Sequence, residues 1–206
     1  MSVTETILNE KIIAIVRENN RERAIDVLEW LHAGGMKVME VSLTTPSAIR
    51  VISKAKATFG NDALVGVGTV LTVADLQESL TAGADFVVCP NLDREIVESC
   101  MIRGKLCIPG VFSVTEIREA IKLGCKLQKF FPAEPIGPEY IRAVRAPFPE
   151  VKLIPTGGIN LDNAETWLKA GAVALGVGGS LTRGSRYEVI ERANQLIQIV
   201  EKSSRE

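Results

Sequence analysis

Lys129 stands in the run LQKFFP, directly ahead of Phe130 and Phe131, a setting that would hold its head group in a poorly hydrated place. A lysine attacks a carbonyl only as the neutral amine, and withdrawal from water favours that form. A lysine extending its head group from a strand end into solvent fits the same residues. Glu40 closes the run VME. Facing the same cavity, it can move protons on and off a lysine adduct; a resting ion pair with Lys129 or Arg17 fits equally. Arg17, directly after IIAIV, can clamp a carboxylate through two parallel hydrogen bonds, although arginines at strand ends are also common on surfaces. Two glycine pairs, Gly157–Gly158 and Gly178–Gly179, the second followed by Ser180, complete the set. Backbone N–H groups, the serine hydroxyl and a helix N-terminus can cradle a phosphate there; a glycine pair also serves as a plain tight turn.

Composition removes other chemistries. Lys and Arg number 24 against 25 Asp and Glu, a net charge of −1. That leaves no basic surplus for nucleic acid or a membrane surface, so an anionic ligand must be small and locally held. One histidine, His32, and four cysteines (Cys89, Cys100, Cys107, Cys125) with no C-x-x-C pair offer no zinc-type cluster. No metal is expected. Four unpatterned cysteines, with no basic segment ahead of the apolar residues in 1–16, read as reduced thiols in a cytoplasmic protein. No apolar run reaches the about 18 residues of a spanning helix.

The elements that must position the reactive residues show as a repeat. A glycine follows an amphipathic stretch and precedes a short apolar run in HAGGMKVMEV, TAGADFVVCP, IRGKLCIPG, KLGCKLQKFF and KAGAVALGVG. Gly34, Gly60, Gly83, Gly104 and Gly124 stand 20 to 26 residues apart, with Gly171 about two units further on. Each sits where a helix needs a left-handed C-cap. The apolar runs predict strands at Ile12–Val16, Lys37–Val41, Leu64–Val67, Asp85–Cys89, Leu106–Ile108, Lys126–Phe130, Lys152–Pro155 and Val173–Gly176. Strands apolar on both faces, alternating with helical spacing such as Leu92, Ile96, Val97, Cys100 and Met101, predict a parallel sheet covered by helices. Eight such units fit a single domain, residues 1–206, folded as an α/β (β/α)8 TIM barrel with short loops. The competing doubly wound open sheet lacks its G-x-G-x-x-G turn after the first strand. Met1–Asn9 is expected as an extra N-terminal helix closing the barrel floor.

In such a barrel the C-terminal strand ends face the active site. Arg17, Glu40, Thr69, Pro90, Lys129, Phe131, Thr156 and both glycine pairs then share one mouth. His32, inside WLHAGG, falls away from it and reads as structural, while Trp30 and Trp167 are core candidates.

Taken together, MEVSL, VGVGTV, VCPNLD, LQKFFPAE, IPTGG and LGVGGS, in order along almost the whole chain, resemble the KDPG/KHG aldolase family. These are class I aldolases of 2-keto-3-deoxy-6-phosphogluconate. The resemblance implies a Schiff base on Lys129 and a general acid/base at Glu40. It implies substrate contacts from Thr69, Pro90, Phe131 and Thr156, and phosphate contacts from Gly157, Gly158, Gly178, Gly179 and Ser180. It also implies pyruvate plus glyceraldehyde 3-phosphate as products (glyoxylate from 4-hydroxy-2-oxoglutarate), no cofactor, and a homotrimer. Members with V-T-L-R-T hold the carboxylate on an arginine after the second strand, where this chain has Thr44; Arg17 fits the branch that supplies it from the first strand. Galactonate-type relatives tend to carry valine where this chain has Thr156, so the likeness leans to the gluconate-type sugar acid. Two rival readings use the same residues. One is a phosphate-binding isomerase or epimerase barrel that uses Glu40 alone, the other a barrel that binds a metabolite without turnover.

Overall fold

Short parallel strands alternate with helices through residues 1–203, the part described by the computed structural model. In chain order the first half runs α1 (Val3–Glu10), β1 (Ile12–Val16), α2 (Arg21–Ala33), β2 (Val38–Ser42), α3 (Ala48–Phe59), β3 (Leu64–Gly68), α4 (Val73–Thr81), β4 (Phe86–Val88) and α5 (Arg94–Ile102). The second half runs β5 (Leu106–Ile108), β6 (Gly110–Val111), α6 (Val114–Lys122), β7 (Gln128–Phe130), α7 (Glu139–Arg145), β8 (Leu153–Pro155), α8 (Ala164–Lys169), β9 (Leu175–Val177), α9 (Gly179–Thr182) and α10 (Arg186–Ser203). Local chemistry sets the helix starts. Reciprocal side-chain and backbone hydrogen bonds between Ser2 and Glu5, Thr72 and Asp75, and Ser113 and Glu116 begin α1, α4 and α6. Each such cap stabilises its helix by about 1 kcal/mol.

The strands form a six-stranded parallel sheet, β5-β4-β3-β2-β1-β9, and a three-stranded one, β6-β7-β8. The expected strand at Leu106–Ile108 thus has a second part. Pro109 lacks an N–H, so the ladder breaks there; β5 pairs with β4, and β6 pairs with β7. At the other end of the small sheet, a parallel bridge joins Thr156 to Gly176.

One helix ending differs from expectation. Gly83, Gly104, Gly124, Gly171 and Gly60 all have positive φ, but Gly34 does not; the left-handed residue is its neighbour Gly35, at φ +90°. Gly34 is small for another reason: a Cβ there would lie 2.6 Å from Ala193 Cβ of α10.

The core has two layers, separated by the two-residue period of the strands. Ile12, Ala14, Val16, Met39, Val41 and Phe130 pack with the helices, among them Leu28, Leu31, Val51 and Trp167. Ile13, Val38, Phe86, Val88, Ile108, Leu127, Ile154 and Ala174 form a separate cluster on the opposite strand faces, joined by Ile7 of α1. Burying a side chain of this size contributes about 2–3 kcal/mol. His32 lies in the last turn of α2 and stacks on Phe59 at 4.7 Å, on the helix side of the molecule.

Candidate active site

The second cluster dictates where chemistry can sit. Two residues further along each strand, the same face carries Ile15 after Ile13, Glu40 after Val38, Lys129 after Leu127, Thr156 after Ile154 and Gly176 after Ala174. The apolar layer therefore ends, at the C-terminal strand ends, in a polar one. Register holds it in place: Glu40 pairs with Ile15 and Gly66, and Lys129 with Gly110 and Ile154.

A cavity of about 650 Å³ opens over this layer. Of the expected site residues, Arg17, Lys129, Phe131, Thr156, Gly157, Gly158, Gly178, Gly179 and Ser180 line it. Lys129 is only 5 % exposed. Its ammonium sits 4.7 Å from the centre of the Phe131 ring. Phe130 does not share that duty. It points to the opposite face and stacks on Tyr140 at 4.9 Å, because neighbouring strand residues alternate sides.

Glu40, Thr69 and Pro90 are not among the lining residues. Glu40 is buried at 2 % exposure, and burial pushes its carboxyl above the ordinary 4.5, with the charges of Lys129 and Arg17 drawing it back. Its space is a gift of glycine. A Cβ on Gly68 would lie 1.7 Å from Glu40 Oε1. Thr69 is held beside it in the left-handed region at φ +62°, unusual for a β-branched residue, with its hydroxyl 2.9 Å from Ser42 Oγ. Ser42 Oγ also lies 2.8 Å from Thr44 Oγ1, so the threonine at the position of the missing arginine joins a hydroxyl cluster. Pro90 follows β4, and its carbonyl would be 2.1 Å from a Cβ on Gly110.

The phosphate-type cradle has a mixed geometry. Gly157 and Gly158 both have positive φ (+95° and +77°), which turns the chain sharply at the cavity wall. Asn163 Nδ2 donates to the Gly158 carbonyl at 2.8 Å and fixes that turn. Ser180 Oγ donates to the Ile159 carbonyl at 2.6 Å, so its proton ties the two glycine loops together. The first and second strand loops are tied too, by the Glu18 N–H donating to Thr45 Oγ1 at 3.2 Å, which anchors the residue next to Arg17.

The arrangement offers a buried amine and a buried carboxyl that feels its charge, with cations and backbone turns around an open volume. Sequence comparison decides whose arrangement it is. The family model for KDPG and KHG aldolases matches residues 3–198. The chain belongs to the KDPG/KHG aldolase family. It is 34% identical over 208 residues to a 2-dehydro-3-deoxy-phosphogluconate aldolase of Treponema pallidum (strain Nichols), covering 97% of this chain and 98% of that one. It is 29% identical over 196 residues to a 2-dehydro-3-deoxy-6-phosphogalactonate aldolase of Escherichia coli (strain K12), covering 95% of each. Among solved structures, it matches a KDPG aldolase of Legionella pneumophila with pyruvate captured as a covalent carbinolamine. That match has TM-score 0.78, 33% identity and 92% coverage of each chain.

This aldolase-family cavity also has lining that the sequence reading missed. Glu18, Asn19, Glu134, Asn160, Thr182 and Arg183 stand in the loops just beyond the strand ends. Glu134 lies in KFFPAE and Arg183 three residues past Ser180, so position alone could have marked both. Glu18 and Thr182 meet from opposite ends of the chain, which no local pattern shows. Burial raises the Glu18 carboxyl, while Arg23, 3.9 Å away, and a hydrogen bond to Thr182 lower it.

Proposed function

We propose that this chain is a class I aldolase that cleaves 2-keto-3-deoxy-6-phosphogluconate, with 4-hydroxy-2-oxoglutarate as a second substrate. The observation that carries this reading is Lys129, nearly sealed from water at the floor of the cavity, with the buried Glu40 carboxyl electrostatically coupled to it. Burial keeps a proton on Glu40 to a higher pH than an exposed carboxylate allows, which suits a group that must both give and take one.

The steps follow from that pair. The Lys129 amine adds to the C2 ketone, and Glu40 donates its proton to the adduct oxygen, which leaves as water. The iminium so formed is the electron sink, supplied by the chain's own residues. Ionised Glu40 then takes the proton of the C4 hydroxyl. The C3–C4 bond breaks, its electron pair passes into the enamine, and glyceraldehyde 3-phosphate departs. Glu40 returns the proton to C3, and hydrolysis frees pyruvate and the amine. Arg17 pairs with the substrate carboxylate. Phe131 and Thr156 shape the walls, Thr69 and Pro90 stand behind them as the further substrate contacts that the family likeness implies, and the backbone of Gly157, Gly158, Gly178, Gly179 and Ser180 receives the phosphate. The Thr156 hydroxyl, at the cavity wall, supports the gluconate-type sugar acid over its C4 epimer.

We infer that the described residues fold as one (β/α)8 TIM-barrel domain. The continuous chain from β5 to β6 and the Thr156–Gly176 bridge support closure of the strands into a ring, with α1 beneath as its floor. We read the protein further as a cytoplasmic homotrimer. Four free thiols support the first point, and exposed Phe112 and Val114 offer apolar surface for the second. Among the described residues, no helix is long and apolar enough to cross a membrane. Pyruvate release from the two C4 epimers tests the activity. The gluconate-type epimer is expected to be the better substrate, with cleavage lost in Lys129→Ala; cleavage undiminished in that variant overturns the reading.

A further inference from the structure

Five charged residues line the cavity: Arg17, Lys129 and Arg183 as cations, Glu18 and Glu134 as acids. In the proposed reaction Arg17 answers the substrate carboxylate and Lys129 the ketone. Arg183 is the cation left over, and it lies on the glycine cradle. Its Nε, Nη2 and Cζ are 3.4, 3.6 and 3.7 Å from where a Cβ on Gly179 would stand.

The segment that carries it is braced from below. Arg23 Nη2 donates to the carbonyls of Thr182 at 3.1 Å and Gly184 at 2.7 Å, and its guanidinium rests on the Trp30 ring, 4.5 Å from the centroid. Arg192 donates to the carbonyls of Leu181, at 3.3 Å, and of Arg183 itself. Two arginines thus fix the backbone on either side of Arg183. Its own guanidinium has no hydrogen-bond or ion-pair partner among the described residues.

We propose that Arg183 is the specificity residue of this site, closing the glycine cradle over a terminal phosphomonoester and selecting phosphorylated 2-keto-4-hydroxy acids. The proposal rests on the aldolase reading above. Backbone N–H groups bind a phosphate without net charge, and a phosphomonoester brings about −1.5 to −2 charges near neutral pH. Glu134 stands against the same cradle; a Cβ on Gly158 would be 2.4 Å from its Cβ. An anion there needs a compensating cation. A guanidinium, with its fork of parallel donors, suits phosphate better than an ammonium does.

The test compares wild type, Arg183→Gln and Arg183→Lys on two substrates that differ only in the phosphate, 2-keto-3-deoxy-6-phosphogluconate and 2-keto-3-deoxygluconate. The ratio of their kcat/KM values is expected to fall about 10- to 100-fold in Arg183→Gln, chiefly through KM, with Arg183→Lys recovering part of it. Calorimetry with inorganic phosphate is expected to show a comparable weakening of Kd. An unchanged ratio, or equal losses on both substrates, overturns the proposal. If wild type cleaves neither substrate, the aldolase reading fails instead, and phosphate binding alone still decides whether Arg183 holds the anion.

Discussion

Gly68→Ala should disable Glu40 without touching a single charge. Gly68 has no positive φ, so alanine meets no backbone penalty there. The added Cβ would stand 1.7, 2.4 and 2.8 Å from Oε1, Cδ and Cγ of Glu40, whereas ordinary contact begins at 3.4 Å. The carboxylate must therefore retreat by about 1.7 Å. A displacement of about 1 Å in a reacting group costs roughly 100-fold, and loss of acid–base help costs about 100- to 10,000-fold. The kcat of Gly68→Ala, followed as pyruvate release coupled to NADH oxidation by lactate dehydrogenase, should fall at least about 100-fold. Overpacking should also remove about 1–3 kcal/mol of stability, visible in urea titrations. A second substitution checks the cause. Glu40→Asp withdraws the carboxylate by one C–C bond, about 1.5 Å, which nearly matches the displacement. Within the Gly68→Ala background it should restore about tenfold of the lost kcat, whereas in the Gly68 background it should only lower activity. A folded Gly68→Ala enzyme with kcat within about threefold of wild type would refute the assigned position and role of Glu40.

Three other outcomes can be checked directly. Because burial raises the Glu40 carboxyl above 4.5 and dehydration of the adduct uses its proton, kcat/KM should fall as pH rises through that raised value, a limb that should vanish in Glu40→Gln. The same shift gives stability the same pH trend: the folded chain holds this proton more tightly than the unfolded one, so Glu40's contribution grows as pH falls through its raised value and is complete below 4.5. Chemical denaturation of wild type and Glu40→Gln across that window measures the difference. Ser42→Ala removes the hydroxyl shared by Thr44 and Thr69 at 2.8 and 2.9 Å, leaving strained Thr69 unsupported. It should cost about 1–2 kcal/mol of stability and raise KM for the keto acid about three- to tenfold, with kcat within about twofold.

Much of the molecule was legible in its residues. Strands buried on both faces show as unbroken apolar runs, which located Ile12–Val16 and Leu106–Ile108 to the residue. Lys129 stood out because a charged residue inside such a run needs a reason. The break at Pro109 was readable in principle from the missing N–H, but which neighbour each fragment pairs with depends on the whole sheet. Adjacency in sequence puts Phe130 beside the Lys129 head group, whereas period two sends it to the helix side. Gly34 and Gly35 are indistinguishable locally; only α10, some 160 residues away, makes the first a packing glycine and the second the cap. Likewise nothing near Thr45 announces that its hydroxyl will hold the backbone beside Arg17 across 27 residues. The site's chemistry was local, and its bracing was not.

Lys129 must become covalently bonded to the keto acid for any of this to hold. Incubation with pyruvate and sodium borohydride, followed by peptide mass mapping, should find a reduced pyruvyl adduct on Lys129 in wild type and none in Lys129→Ala. Full activity with no modified lysine, or with the adduct on a different lysine, would contradict it.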